Sequence, residues 1–236
     1  MYPPPFSVNK PQEKLMPELN CIELETNPNP DAAVIWLHGL GASGDDFVPI
    51  VPELRLPDSA AIRFIFPHAP EIPVTVNGGY IMPAWYDILE MDIDRKIDQE
   101  QLLISAKAVA DIIDREVARG IDSQRIIIAG FSQGGAVGYE VALTSPKPLG
   151  GLIGMSTYFA TADSITPHAA NANLPIHLFH GTVDPVVPES LGRKAKAQLE
   201  AMGYTPDYAT YPIDHTVCLE EIEAIAAFLV RQLKLS

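Results

Sequence analysis

The chain has 236 residues, 47% of them hydrophobic, and a formal charge of −14. That length suits one large α/β domain, and the acidic excess opposes binding to a phosphate backbone or to an anionic bilayer surface. Two cysteines, Cys21 and Cys218, make no disulfide framework, no run of about 18 apolar residues predicts a membrane span, and the first residues lack an apolar signal core, so a cytoplasmic protein without stable membrane insertion is expected.

Residues 1–18 read as a proline-rich arm ahead of a domain over 19–236, since Pro3-Pro4-Pro5 cannot lie inside a helix. Asn20 to Thr26 reads as a first strand, and Asn27-Pro28-Asn29-Pro30-Asp31 as a turn. Ala32 to Leu37 is a second strand, which delivers His38-Gly39-Leu40-Gly41. Asp45-Asp46 open a short helix toward Glu53, with acids where a helix start favours them. Ala61 to Phe66 is a buried strand ending at Pro67-His68-Ala69-Pro70. From Glu71 to Asp94 the chain reads as irregular, broken by Pro73, Gly78-Gly79 and Pro83. It is nonetheless apolar, with Ile72, Val74, Val76, Tyr80, Ile81, Met82 and Trp85, and a long structureless segment in a compact domain is usually functional.

Gln99 to Arg119 has helical periodicity and stops at Gly120. Ile126-Ile127-Ile128 starts a strand that runs into Gly130-Phe131-Ser132-Gln133-Gly134, and Ala136 to Leu143 reads as the helix behind it. Leu149 to Met155 and Leu174 to His180 are further strands. Glu189 to Met202 is a helix, Pro206 to Tyr211 a strand and Cys218 to Leu233 a closing helix. Strands that alternate with helices pair in parallel through right-handed crossovers. The expected fold is therefore a single α/β domain, a mostly parallel twisted sheet with helices on both faces.

The G-x-S-x-G run between strand and helix is the pattern of a nucleophile elbow. A Cβ at Gly130 or Gly134 would collide with the opposite limb of so sharp a turn. Ser132 is expected in a strained conformation costing about 1–3 kcal/mol, its Oγ exposed above the sheet before a helix N-terminus. A serine hydroxyl needs a base within hydrogen-bond reach, and the base needs an orienting acid. After Ser132 the candidate bases are His168, His177, His180 and His215. His177 alternates with strand residues, which suits a structural role; His180 ends a strand before Gly181, which suits packing or support of the catalytic groups; His168 has no strand before it. His215, between the last strand and the last helix, is the preferred base. Asp184 follows a strand and is flanked by Pro185, with Asp163, Asp207 and Asp214 as rivals. The two oxyanion donors are expected to be the backbone N–H groups of Gln133 and Leu40. His38 is read as a brace for its loop.

Together, His38-Gly39-Leu40-Gly41, Phe66-Pro67-His68-Ala69-Pro70, Met82-Pro83-Ala84-Trp85-Tyr86-Asp87, the elbow, His180-Gly181 to Pro188 and His215-Thr216-Val217-Cys218 resemble the acyl-protein thioesterase and lysophospholipase-like carboxylesterases, in particular their bacterial carboxylesterase branch. The resemblance runs from about Ala32 to Leu233. It implies an α/β-hydrolase fold, Ser132, Asp184 and His215 as triad, and Leu40 and Gln133 as oxyanion donors. It also implies that Glu71–Asp87 forms part of an acyl-binding wall, which assigns Ile72, Val76, Ile81, Met82 and Trp85 to substrate; the alternative is that Met82 and Trp85 pack under the loop as core. Asp214 stands where the family usually has glycine.

The expected activity is hydrolysis of carboxylic esters or thioesters of short-to-medium acyl chains through an acyl-enzyme, without cofactor or metal. Acyl-protein thioesters and lysophospholipids are alternative substrates. A dienelactone hydrolase normally carries cysteine at the elbow, and a non-catalytic hydrolase-fold binding module typically lacks a triad member; Ser132 and the complete set argue against both. No nucleic-acid partner is expected, and a homodimer is left open.

Overall fold

The computed structural model describes residues 18–90 and 95–235. The arm read over residues 1–18 lies, except for Glu18, outside the described residues.

The strands β1 (Cys21–Glu25), β2 (Ala32–Leu37), β3 (Ile62–Pro67), β8 (Ile126–Phe131), β9 (Gly151–Met155), β10 (Ile176–Gly181) and β11 (Asp207–Tyr211) form one sheet in the order β1-β3-β2-β8-β9-β10-β11. All neighbours pair in parallel except β1, which runs antiparallel to β3. Parallel strands bury both faces, and the sequence of β2 shows how. Ala33, Ile35 and Leu37 face a core shared with α2 (Gln99–Ala118), α3 (Gln133–Thr144) and α4 (Glu189–Ala201). Ala32, Val34 and Trp36 face the opposite core, closed by α1 (Ile50–Glu53) and α5 (Leu219–Leu233). The two-residue period of a strand thus divides one apolar run between two layers. Among the described residues no helix is long and apolar enough to cross a membrane.

The antiparallel edge is tied down by charge. Arg63 on β3, 7% exposed, donates to Glu116 of α2 at 2.5 Å and to Glu25 of β1 at 2.8 Å.

The segment after β3 departs from the sequence reading. Glu71–Val74 (β4) and Tyr80–Pro83 (β5) form a hairpin, and Ile88–Glu90 (β6) pairs with Lys96–Ile97 (β7). Positions 91–94 of the expected irregular stretch lie outside the described residues. The breakers have uses. Gly78 and Gly79, with φ of 69° and 77°, close the hairpin where other residues would strain. Pro73 and Pro83 sit in a two-stranded ribbon whose outer edges need no N–H. Asp87 locks it by accepting the Thr75 backbone N–H at 2.7 Å and the Thr75 hydroxyl at 2.6 Å.

Glu221, in the first turn of α5, is wholly buried with no hydrogen-bond partner on either oxygen, and burial pushes its pKa up to about 8. In the unfolded chain it would titrate near 4.3. Between those values the unfolded state ionises while the native state stays protonated, so stability is lost as pH rises through the window. The slope is up to about 1.4 kcal/mol per pH unit. Glu221→Gln should abolish that loss, so the melting temperature of the variant relative to wild type should climb from pH 5 to pH 8. A difference that stays flat with pH would refute it.

Candidate active site

β8 ends at Phe131 and α3 begins at Gln133, which leaves Ser132 alone to reverse the chain. It does so at φ 53° and ψ −119°, a conformation that L-residues adopt only when the surroundings impose it. The surroundings are backbone. A Cβ on Gly130 would lie 2.5 Å from the Gly134 carbonyl oxygen, so the limbs of the turn touch as expected. A Cβ on Gly134 would instead meet the Leu37 and His38 carbonyls at 2.5 Å, so the second glycine is required by the end of β2. The Ser132 backbone is held on both sides: its N–H donates to Met155 O at 2.9 Å, and its carbonyl accepts from the Thr157 hydroxyl at 2.6 Å.

His215 follows β11 and Asp184 follows β10, and the structure brings their side chains together. His215 Nδ1 lies 2.7 Å from Asp184 Oδ2. The other carboxylate oxygen accepts the backbone N–H groups of Val186 and Val187, each at 2.8 Å. The Asp184 side chain is fully buried and that of His215 is 17% exposed. The imidazole packs against Phe131, with ring centroids 4.7 Å apart. Asp214 is exposed, and its carbonyl accepts the Thr216 N–H at 3.0 Å. The other histidines have different duties. His177 stacks on Phe179 at 4.1 Å, His168 caps a short 3-10 turn by accepting the Ala170 N–H, and His180 is buried beneath the Asp184 loop.

The loop after β2 is braced as the sequence suggests. His38 is fully buried; its Nε2 accepts the Ala69 N–H at 3.0 Å, which leaves the proton on Nδ1 to donate to Gly39 O at 2.7 Å. Burial holds its pKa below the ordinary histidine value. Its carbonyl accepts the Trp85 indole N–H at 2.8 Å.

Ser132 and His215 line one cavity of about 770 Å³ together with Leu40 and Gln133. Its walls are largely apolar: Val76, Ile88 and Tyr158 on one side, Phe47, Ile50, Val217 and Ile222 on another. Of the five residues assigned to substrate from the sequence, Val76 lines this cavity. Ile72, Ile81, Met82 and Trp85 do not line it. Trp85 is 1% exposed and belongs to the core, and Ile81 is 63% exposed on the outside of the hairpin. The hairpin alternates its faces, so one apolar stretch cannot present every side chain to the cavity.

Two contributors escaped the sequence reading. The Gln133 side chain accepts the Trp85 N–H at 2.8 Å and donates to Tyr86 O at 2.7 Å, fastening the elbow to the bend between β5 and β6. Thr157 anchors the Ser132 carbonyl; its hydroxyl oxygen would lie 2.5 Å from a Cβ on Gly135. The doubled glycine Gly134-Gly135 was the only trace of that approach in the sequence. Among the described residues no group of three or more His, Cys, Asp or Glu side chains is placed to hold a metal ion.

The sequence profile of the phospholipase/carboxylesterase family matches residues 20–233. Acyl-protein thioesterase 1 of Gibberella zeae is 38% identical over 213 residues, covering 86% of this chain and 91% of that protein. The crystal structure of Arabidopsis thaliana SOBER1 superposes with a TM-score of 0.80 at 33% identity, covering 86% of this chain and 99% of that one. Zea mays acyl-protein thioesterase 2 superposes with a TM-score of 0.80 at 26% identity, covering 91% and 99%.

Proposed function

Because the chain belongs to the phospholipase/carboxylesterase family and is a serine hydrolase of carboxylic esters and thioesters, we propose that Ser132, His215 and Asp184 carry its chemistry. The observation that carries this reading is the 2.7 Å contact between His215 and the buried Asp184 at the edge of a cavity that Ser132 lines. Ser132 Oγ attacks the acyl carbon while its proton passes to His215 Nε2. Asp184 fixes the tautomer with the proton on Nδ1 and stabilises the imidazolium. The backbone N–H groups of Leu40 and Gln133 receive the oxyanion. Collapse of the tetrahedral intermediate expels the alcohol or thiol, which takes the proton from His215. Water, deprotonated by the same imidazole, then attacks the acyl-serine and releases the carboxylic acid and free Ser132.

A serine-directed fluorophosphonate tests the assignment. Mass spectrometry should find one label, on the peptide carrying Ser132, and a label on any other serine would refute it.

We assign the apolar wall around Val76 and Ile88 to the acyl chain, and short-to-medium acyl chains to the substrate. A buried methylene contributes about 0.8 kcal/mol, close to fourfold in kcat/KM, until the cavity ends. Val76→Ala should therefore lower the ratio of long-chain to short-chain p-nitrophenyl ester turnover severalfold, while Ile81→Ala leaves it unchanged. Equal ratios in both variants would remove Val76 from the acyl wall. A protein S-acyl thioester is the second reading, favoured by the matching thioesterases. We place the enzyme in the cytoplasm, where its two free thiols, Cys21 and Cys218, would stay reduced.

A further inference from the structure

The loop that carries Asp184 has an unusual supply of hydrogen-bonding groups. Pro185 and Pro188 have no N–H, so between them only Val186 and Val187 can donate, and both donate to Asp184 Oδ1. The loop thereby orients its own carboxylate. Before Asp184 the loop is tied to the sheet end, with the Thr182 N–H on Tyr211 O at 2.8 Å and the Val183 N–H on Ile213 O at 3.2 Å; after Asp184 the remaining handles are carbonyls. Arg95 donates to Val186 O. The Val187 carbonyl is gripped from beneath by His180 Nε2 at 2.8 Å.

His180 is 1% exposed, and burial holds its pKa below the ordinary histidine value. A carbonyl only accepts, so the neutral ring carries its proton on Nε2. That N–H lies between two acceptors, Val187 O at 2.8 Å and Asp184 Oδ2 at 3.9 Å. The nearer one takes it, which leaves Asp184 Oδ2 for His215. The opposite edge of the ring rests on α4. A Cβ on Gly192 would lie 2.3 Å from His180 Nδ1 and 2.8 Å from the Tyr208 hydroxyl, so only glycine at 192 leaves room for the imidazole.

We propose that His180 is a positioning residue for the triad acid: seated against Gly192, it fixes the Val187 peptide and so aims Asp184 Oδ2 at His215. The chain of contacts runs from α4 through Gly192, His180 and Val187 to Asp184, and Gly192, His180 and Val187 do not line the cavity. This inference rests on the assignment of Asp184 and His215 above.

Three variants test it: His180→Leu, which removes the donor; His180→Gln, which can restore an N–H toward Val187 O; and Gly192→Ala, which displaces the ring. His180→Leu and Gly192→Ala should each lower kcat for a short-chain ester by tenfold to a hundredfold with KM within twofold of wild type. Their acid limb in kcat/KM should move to lower pH, because an imidazolium that loses its aligned carboxylate is easier to deprotonate. His180→Gln should recover most of the kcat and the position of the acid limb. Gly192→Ala keeps the test decisive if leucine at 180 does not fold. Wild-type kcat and an unmoved acid limb in Gly192→Ala would overturn the proposal, as would a glutamine variant that behaves like leucine. Asp184→Asn serves as the control: if it too is fully active, the triad assignment has failed rather than the role of His180.

Discussion

Ser132→Ala should fold normally and hydrolyse esters about a millionfold more slowly than wild type, the loss seen when a triad nucleophile is deleted. The fold is safe because what holds the elbow is backbone: the Ser132 N–H on Met155 and its carbonyl under Thr157 do not involve the hydroxyl. What remains after the substitution is the φ of 53°, which alanine tolerates no better than serine. Ser132→Gly should relieve it. Relief of about 1–3 kcal/mol outweighs the 0.5–1 kcal/mol entropic cost of a glycine, so Ser132→Gly should be equally inactive and about 1 kcal/mol more stable than Ser132→Ala. Chemical denaturation of the two variants measures this. An alanine variant that turns over at an appreciable rate would mean that another group attacks the substrate.

Asp184→Asn should reduce kcat by about 10⁴, the size of effect that follows when the orienting acid of a triad is replaced by its amide. The hydrogen bonds dictate the outcome. The Val186 and Val187 N–H groups require an acceptor at Oδ1, so the amide oxygen takes that place and the NH₂ faces His215. Nδ1 must then accept, the ring proton moves to Nε2, and the imidazole no longer has a lone pair for the serine proton. Asp214→Asn should instead stay within a few-fold of wild type. Its side chain is exposed and its field is screened, so the expected change is a small downward shift of the acid limb. If Asp214→Asn is crippling and Asp184→Asn mild, the acid has been misassigned.

The sequence made the catalytic frame readable because each part is a local event. A β-branched run into G-x-S-x-G is a strand meeting a helix, and residues just after strands gather at one edge of a parallel sheet. Which aspartate reaches His215 is not local. Position after a strand favours Asp184 over the rivals at 163, 207 and 214, and the resemblance implies it, but the contact itself, 2.7 Å from the ring, is made only by the fold. The Glu71–Asp94 stretch failed for a different reason. Its prolines and glycines break helices and central strands, but a free-standing ribbon tolerates the former and needs the latter at its turn. Trp85 read as a ligand contact because an aromatic beside an apolar run looks the same whether it faces a cavity or the core. The side-chain anchors at Gln133 and Thr157, and the grip of Arg63 on Glu116, join residues 25 to 53 positions apart, and no periodicity encodes them.

The contact between Gly134 and the carbonyls of Leu37 and His38 has a consequence for how such an enzyme can change. The spacing between the elbow and the loop carrying Leu40 is set by main chain resting on main chain, at positions where any side chain would intrude. The cavity walls, by contrast, are side chains borne largely on the 3-10 turn before α1, the turn of the hairpin, β6, and the start of α5. Reactivity and selectivity are thus written in separate parts of the molecule. A library that randomised Val76, Ile88, Phe47 and Ile222 could retune what the enzyme accepts while inheriting its machinery intact. One that touched Gly130, Gly134 or Gly135 would return almost nothing but inactive clones.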